Sequence, residues 1–336
     1  MGEIKLSILD QSVIKPDGNA KEAINETVAT VKLAENLGYS RFWVSEHHNS
    51  ALIAGSTPEV LMVKLAGETS SIRIGSGGIM LPNHSALKVV ENFRMLEVLF
   101  PNRIDLGIGR APGTDRVTSS ILNPSNDFSE ASYLQQLEYM QHFFRDTAAT
   151  RQGSLLATPQ STTIPSQWIL SSSGGSSLIA AKFGMGLSIA KFINGFVSPE
   201  VAETYRKNFK PSIENTEPQV MVAIQMVCAE TEEKANEMRK FIDFVFLQFE
   251  KGNFNNFKDA NHIKNYRFSS LEQQIIDRNK GRIISGTTDD VKEQLIKLSN
   301  DFGTDEIMVT SMSVDYGARR KSFELLANAF ELKPAI

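Results

Sequence analysis

A single cysteine, Cys228, stands in the 336 residues of the chain, so no internal disulfide can form and a small stapled scaffold is excluded. No apolar run approaches the ~18 residues that span a bilayer. The opening MGEIKLSILD carries neither the basic stretch nor the apolar core of a secretory leader. Excess charge of one sign is missing too. Thirty-five Lys and Arg against 39 Asp and Glu leave −4 and a pI near 5.8, which gives nucleic acid or anionic lipid nothing to hold. Gly and Pro, 22 and 12 residues, are too few for a low-complexity chain. These absences point to a soluble, cytoplasmic protein in a reducing compartment, without nucleic-acid or membrane partners.

What the sequence has is the material for a large core: 41% hydrophobic and 22% charged residues. At roughly 150 residues per domain the length suggests two domains, although α/β barrels carry it as one. Hydrophobic period decides between them. Strands are expected at 4–10, 41–46, 72–80, 103–109, 168–172, 186–190, 220–229 and 306–312. Helices are expected between most of them, the first with Ala20, Ile24, Val28, Val31 and Ala34 at helical spacing. Eight strands alternating with helices select a (β/α)8 TIM barrel, in one domain over residues 1–336, over a doubly wound sheet. Two polar stretches exceed a bare barrel: 111–129 after strand 4, and 251–285 between strands 7 and 8. Long loops of this kind serve as lids, and 111–129 is read as one.

Barrel enzymes place chemistry at the C-terminal ends of their strands. The second strand ends in His47-His48. Side-chain alternation puts Phe42, Val44, Glu46 and His48 on one side and Trp43, Ser45 and His47 on the other, so His47 points inward. Adjacent histidines on a strand do not readily chelate one metal, and none is expected. Gly107 and Gly109 on the fourth strand, with Gly75, Gly77 and Gly78 on the third, suit either close packing or a flat ligand. SSSGGSSLIAAKFG (171–184) runs from strand through a Gly/Ser turn into a helix, which suits an anion. Ser173, Ser176 and Ser177 supply hydroxyls there and Arg110 a countercharge, while a plain capped turn fits the same residues. Lys191, at another strand end, has the position of a Schiff-base lysine or of an ordinary solvated one.

FWVSEHHN (42–49), GSGGIMLPNHSALKVVENFRMLEVLFPNRIDLGIGRAPGTD (75–115) and the serine-rich turn together resemble the bacterial luciferase-like flavin-dependent monooxygenases, particularly those related to alkanal monooxygenase alpha chains. The resemblance implies a barrel that binds reduced FMN as a cosubstrate at its strand ends and captures O2 as a flavin 4a-hydroperoxide. It assigns the catalytic histidine to His47, with His48 as its neighbour, and a non-prolyl cis peptide beneath the flavin to Gly77-Gly78. It assigns phosphate contacts to Arg110, Ser173 and Ser176. Gly109 stands where luciferase has a reactive cysteine beside the flavin, and Ser172 where it has a carboxylate. The missing cysteine counts against efficient light emission and a long-lived peroxide. The implied activity is oxidation of a small organic substrate such as an aldehyde. No second domain is evident to reduce the flavin, so a separate reductase is expected, and a homodimer is the expected assembly. A deazaflavin-dependent hydride transferase and a non-catalytic flavin-binding subunit are the alternatives.

Overall fold

The computed structural model describes residues 3–253, 257 and 259–334; positions 254–256 and 258 of the 251–285 stretch and the chain ends 1–2 and 335–336 lie outside them. The sheet strands are β1 (Lys5–Asp10), β2 (Arg41–Val44), β3 (Arg73–Met80), β4 (Ile104–Gly109), β5 (Ser166–Ser171), β6 (Gly186–Ala190), β7 (Val220–Ala229), β8 (Ile283–Thr287) and β9 (Glu306–Thr310). All pair in parallel, and β6–β7, β7–β9 and β9–β1 contacts close eight of them into a barrel.

The ninth, β8, corrects the strand count read from the sequence. The first half of the long β7 pairs with β6 and β9, while Gln225–Ala229 pair with Ile283–Thr287. IISGT is paired on one side only and is too short to show a period. A helix, Thr288–Phe302, follows it.

Alternation sorts the strand residues into two cores. Ile8, Phe42, Val44, Ile169, Val222, Ile307 and Val309 pack under the helices. Leu9, Trp43, Trp168, Met221, Ala223 and Met308 fill the barrel interior. Trp43 meets Trp168 edge-on at 5.8 Å between ring centroids. It also donates from Nε1 to Asp105 Oδ2 at 2.9 Å. Asp105, fully buried, pairs with Arg41 and Arg73, and Arg41 continues to Glu306 at 2.8 Å. All four charged residues lie near strand N-termini, so an ion network closes the floor of the barrel. The indole also explains three glycines: a Cβ at Gly75, Gly77 or Gly107 would collide with or crowd Trp43. Packing against the indole is by itself reason enough for glycine at those positions.

The 251–285 stretch is more structured than a loop. α8 (Glu232–Glu250) and α9 (Ala260–Asn265) build a second core, and α10 (Ser270–Asn279) packs against α8. Phe241, Phe244, Phe246 and Ile263 there join Leu52, Val227 and Met312 from the strand exits. The insertion therefore walls one side of the barrel mouth. Arg282 fastens it, donating to the Phe192 carbonyl at 2.9 Å and stacking 4.0 Å over the Phe246 ring.

Candidate active site at the barrel mouth

Trp43 lies in the interior cluster and Phe42 and Val44 in the outer core, so the parity read from the sequence holds through β2. Beyond Val44 the chain keeps the alternation long enough for Glu46 and His48 to meet on one side: His48 Nε2 lies 2.9 Å from Glu46 Oε1. Glu46 is 1% exposed. His84 Nε2 reaches its two carboxylate oxygens at 2.9 and 3.0 Å, and the Met80 amide donates to Oε2 at 2.8 Å. Asn83 Nδ2 donates at 3.4 Å and ties the Pro112 carbonyl at 2.9 Å.

Electrostatics follow from this packing. Burial pushes the Glu46 carboxyl up, but hydrogen bonds and charge from His84, with hydrogen bonds from His48 and Met80, outweigh it and hold the carboxyl below its usual value. Burial alone would lower the His84 imidazole; the Glu46 contact overcomes that and raises it. Among the described residues no carboxylate hydrogen-bonds to the His47 ring. Burial lowers its pKa, offset in part by the Gly113 carbonyl and by the charge of Glu46. A neutral imidazole at working pH is a competent base.

The segment 111–129 is tied to the same exit. The His48 amide donates to the Gly113 carbonyl at 3.3 Å, and Thr114 Oγ1 donates to the His48 carbonyl at 3.0 Å. Asn49 Nδ2 donates to Asp115 Oδ2 at 2.9 Å, and Asp115 caps the short helix Arg116–Leu122. The expected lid thus has an anchored root at 112–115.

At the next two strand exits, Gly109 ends β4 with Arg110 directly after it, and Ser172, Ser173 and Ser176 follow β5. The pairing Ile108↔Ile169 makes these strands neighbours. Ser173 is exposed and Ser176 buried. Ser176 precedes helix Ser177–Phe183 and makes no side-chain capping bond. Arg110 is paired with Glu130 at 2.9 Å on an exposed surface, a partner the sequence did not suggest. A Cβ at Gly109 would collide with Met80 Cε, and one at Gly78 with Leu170 Cδ1. The Gly77-Gly78 peptide is cis.

The arrangement accommodates a flavin by the chemistry of its donors. Ser45 Oγ and Gln225 Nε2 are buried without a hydrogen-bond partner among the described residues. Ser45 follows Trp43 on the inward side of β2, and Gln225 follows Ala223 on that of β7. Such orphaned groups suit the polar edge of a bound ring. The serine turn beside Arg110 suits a phosphate. Lys191 does not join them. Leu187 and Ile189 face the outer core, so Lys191 also turns outward, and its Nζ donates to the Gly195 carbonyl at 2.6 Å. That orientation removes the Schiff-base reading. Among the described residues no group of three or more His, Cys, Asp or Glu could hold a metal, and no helix is long and apolar enough to cross a membrane.

The sequence profile of the luciferase-like monooxygenases matches residues 4–306. The chain belongs to the luciferase-like monooxygenase family. Within it, the Bacillus subtilis (strain 168) protein YwcH is 43% identical over 97% of this chain and 99% of its own. The N-acetyl-S-alkylcysteine monooxygenase of the same organism is 35% identical over 97% of this chain and 98% of its own. Among solved structures, apo-MsnO8 shares 31% identity with a TM-score of 0.88, covering 99% of this chain and 100% of that one. Membership makes this luciferase-like monooxygenase an enzyme of a flavin-dependent family on an α/β barrel. Glu46, Asn83 and His84 were missed as site residues. Glu46 shares its side of β2 with His48, and Asn83-His84 follow the third strand, a strand-exit position that signals a site residue.

Proposed function

We propose that the chain is the oxygenating component of a flavin-dependent monooxygenase that receives reduced FMN from a separate reductase in the cytoplasm. With O2 it oxidises a small organic substrate such as an aldehyde. What supports this reading is that one barrel mouth gathers His47-His48, with His48 clamped on a buried carboxylate, and the exits of the neighbouring strands β4 and β5, which carry Arg110 and the serine-rich turn. Reduced FMN would supply the electrons that activate O2. Arg110, Ser173 and Ser176 would hold its phosphate, and Ser45 and Gln225 have polar atoms to spare for its ring. His47, kept unprotonated by burial, would take a substrate proton on its free ring nitrogen. The root of 111–129, fixed to His48, would exclude water from the mouth. Anaerobic fluorescence titration with reduced FMN and with a reduced deazaflavin tests the coenzyme: tighter binding of FMN is expected, and preference for the deazaflavin would overturn the reading in favour of hydride transfer.

The proposed assembly is a homodimer through α2 (Pro58–Gly67) and α3 (Ala86–Leu99). Val60 and Val63 on the first, and Met95, Val98 and Leu99 on the second, are exposed, and the helices touch, with Asn92 donating to Glu59 at 3.2 Å. Two such faces related by a two-fold axis cover each other's apolar stripes.

A further inference from the structure

We infer that Glu46 and His84 form a positioning unit that fixes His48 as the Nε2–H tautomer, leaving Nδ1 as the nitrogen that accepts a proton. Any catalytic consequence rests on the proposed function; the geometry belongs to the protein alone.

Glu46 is nearly inaccessible to water, yet four groups converge on it: the His48 and His84 imidazoles, the Met80 amide and the Asn83 amide. An ionised carboxylate only accepts hydrogen bonds, so both imidazoles must direct an N–H toward it. The hydrogen bond made by one ring nitrogen decides the proton on the other. For His48, donation from Nε2 leaves Nδ1 bare in the neutral ring. A proton arriving there would create an imidazolium already hydrogen-bonded to a carboxylate.

A buried carboxylate also needs a countercharge. No Lys or Arg hydrogen-bonds to Glu46 among the described residues. His84 is the cation best placed, since its Nε2 touches both carboxylate oxygens while His48 touches one. The other titratable groups facing the cluster are His47, from the same strand exit, and Glu59, at the start of α2, whose charge also favours the His84 cation. The unit has a steric side as well. By holding the Met80 amide, Glu46 places the Met80 side chain in the space beside Gly109. One carboxylate therefore sets the exits of β2 and β3 and, through Met80, the cover over the end of β4.

The test is imidazole nitrogen-15 NMR on protein labelled at its five histidines, without flavin, from pH 5 to 9. The His48 and His84 signals are assigned by their loss in His48→Gln and His84→Gln. The expected wild-type spectrum of the neutral His48 ring has the proton on Nε2 and Nδ1 bare, and its shifts respond as His84 titrates. Glu46→Gln should mix the His48 tautomers and lower the His84 midpoint. Should Glu46→Gln fail to fold, His84→Gln decides: it keeps a donor toward Glu46 but should erase the His84 step from the His48 profile. A wild-type His48 protonated at Nδ1, or a His48 profile unchanged by His84→Gln, overturns the inference. Because no coenzyme is present, these spectra stand independently of FMN binding. Spectra as expected from a protein that does not bind reduced FMN would leave the positioning unit intact and remove only the proposed function.

Discussion

His84, 38 residues along the chain from Glu46, brings Nε2 to 2.9 and 3.0 Å from the two oxygens of that buried carboxylate. The contact makes stability depend on pH in a defined direction. Glu46 is lowered from 4.5 in the folded protein, so its contribution is present above 4.5 and lost as pH falls through the folded value. His84 is raised from 6.5, so its contribution is complete below 6.5 and lost as pH rises through the folded value. The stability gap between wild type and Glu46→Gln, read from urea midpoints, should peak between these limits and narrow toward alkaline pH. A gap that widens steadily above pH 7 contradicts the pairing.

The two neighbouring histidines should separate in kinetics. His47→Ala removes an imidazole that burial favours in its neutral form and is expected to slow substrate oxidation ~100-fold to 10,000-fold while leaving reduced FMN affinity nearly unchanged. Wild-type turnover should fall on the acid side, where burial no longer keeps His47 unprotonated. Single-turnover oxidation with bound reduced flavin checks both. Equal rates for His47→Ala and wild type would remove His47 from the chemistry.

Arg110 offers a prediction with two signs. Arg110→Ala should weaken reduced FMN binding by about 1.5 to 3 kcal/mol, the value of a lost charged hydrogen bond. Glu130 competes for the same guanidinium at 2.9 Å, so Glu130→Gln should strengthen binding, by no more than ~1 kcal/mol for an exposed pair. Fluorescence titration of both variants decides, and weaker binding by Glu130→Gln would exclude the competition.

Gly107→Ala tests the packed interior. The added methyl would strike the Ser76 carbonyl oxygen and crowd the Trp43 ring, and overpacking of this kind costs roughly 1–3 kcal/mol. A lower thermal midpoint is expected, with reduced FMN binding retained in the protein that remains folded. An unchanged midpoint would mean that the interior is looser than these contacts indicate.

Period and alternation made eight of the nine strands of the parallel sheet legible, because each is buried and paired on both sides. β8 escaped because a short strand paired along one edge leaves no repeating pattern. α1 (Ala20–Leu37) forms where its spacing predicts and buries Val31 and Ala34, but polar residues share the burial. Glu26, Thr27 and Thr30 are buried there because Arg319 and Asp10 meet them, Arg319 lying 2.6 Å from Asp10, while Ala20 is exposed. A buried polar network hides an apolar period. At the mouth, His47 was placed inward by alternation alone. Glu46 and His84 were not paired, since a contact between a strand exit and the next exit loop depends on barrel closure rather than on local spacing. The Arg110–Glu130 pair was hidden in the same way.

The most direct test of the proposed monooxygenase is to mix the protein, loaded anaerobically with reduced FMN, with oxygen-18 gas and a panel of small aldehydes and N-acetyl-S-alkylcysteines, and to weigh the products by mass spectrometry. A product carrying one oxygen-18 atom is expected, formed at the expense of hydrogen peroxide and lost in His47→Ala. Complete conversion of the bound reduced FMN to hydrogen peroxide with every substrate, and no label in any product, would contradict the proposed activity.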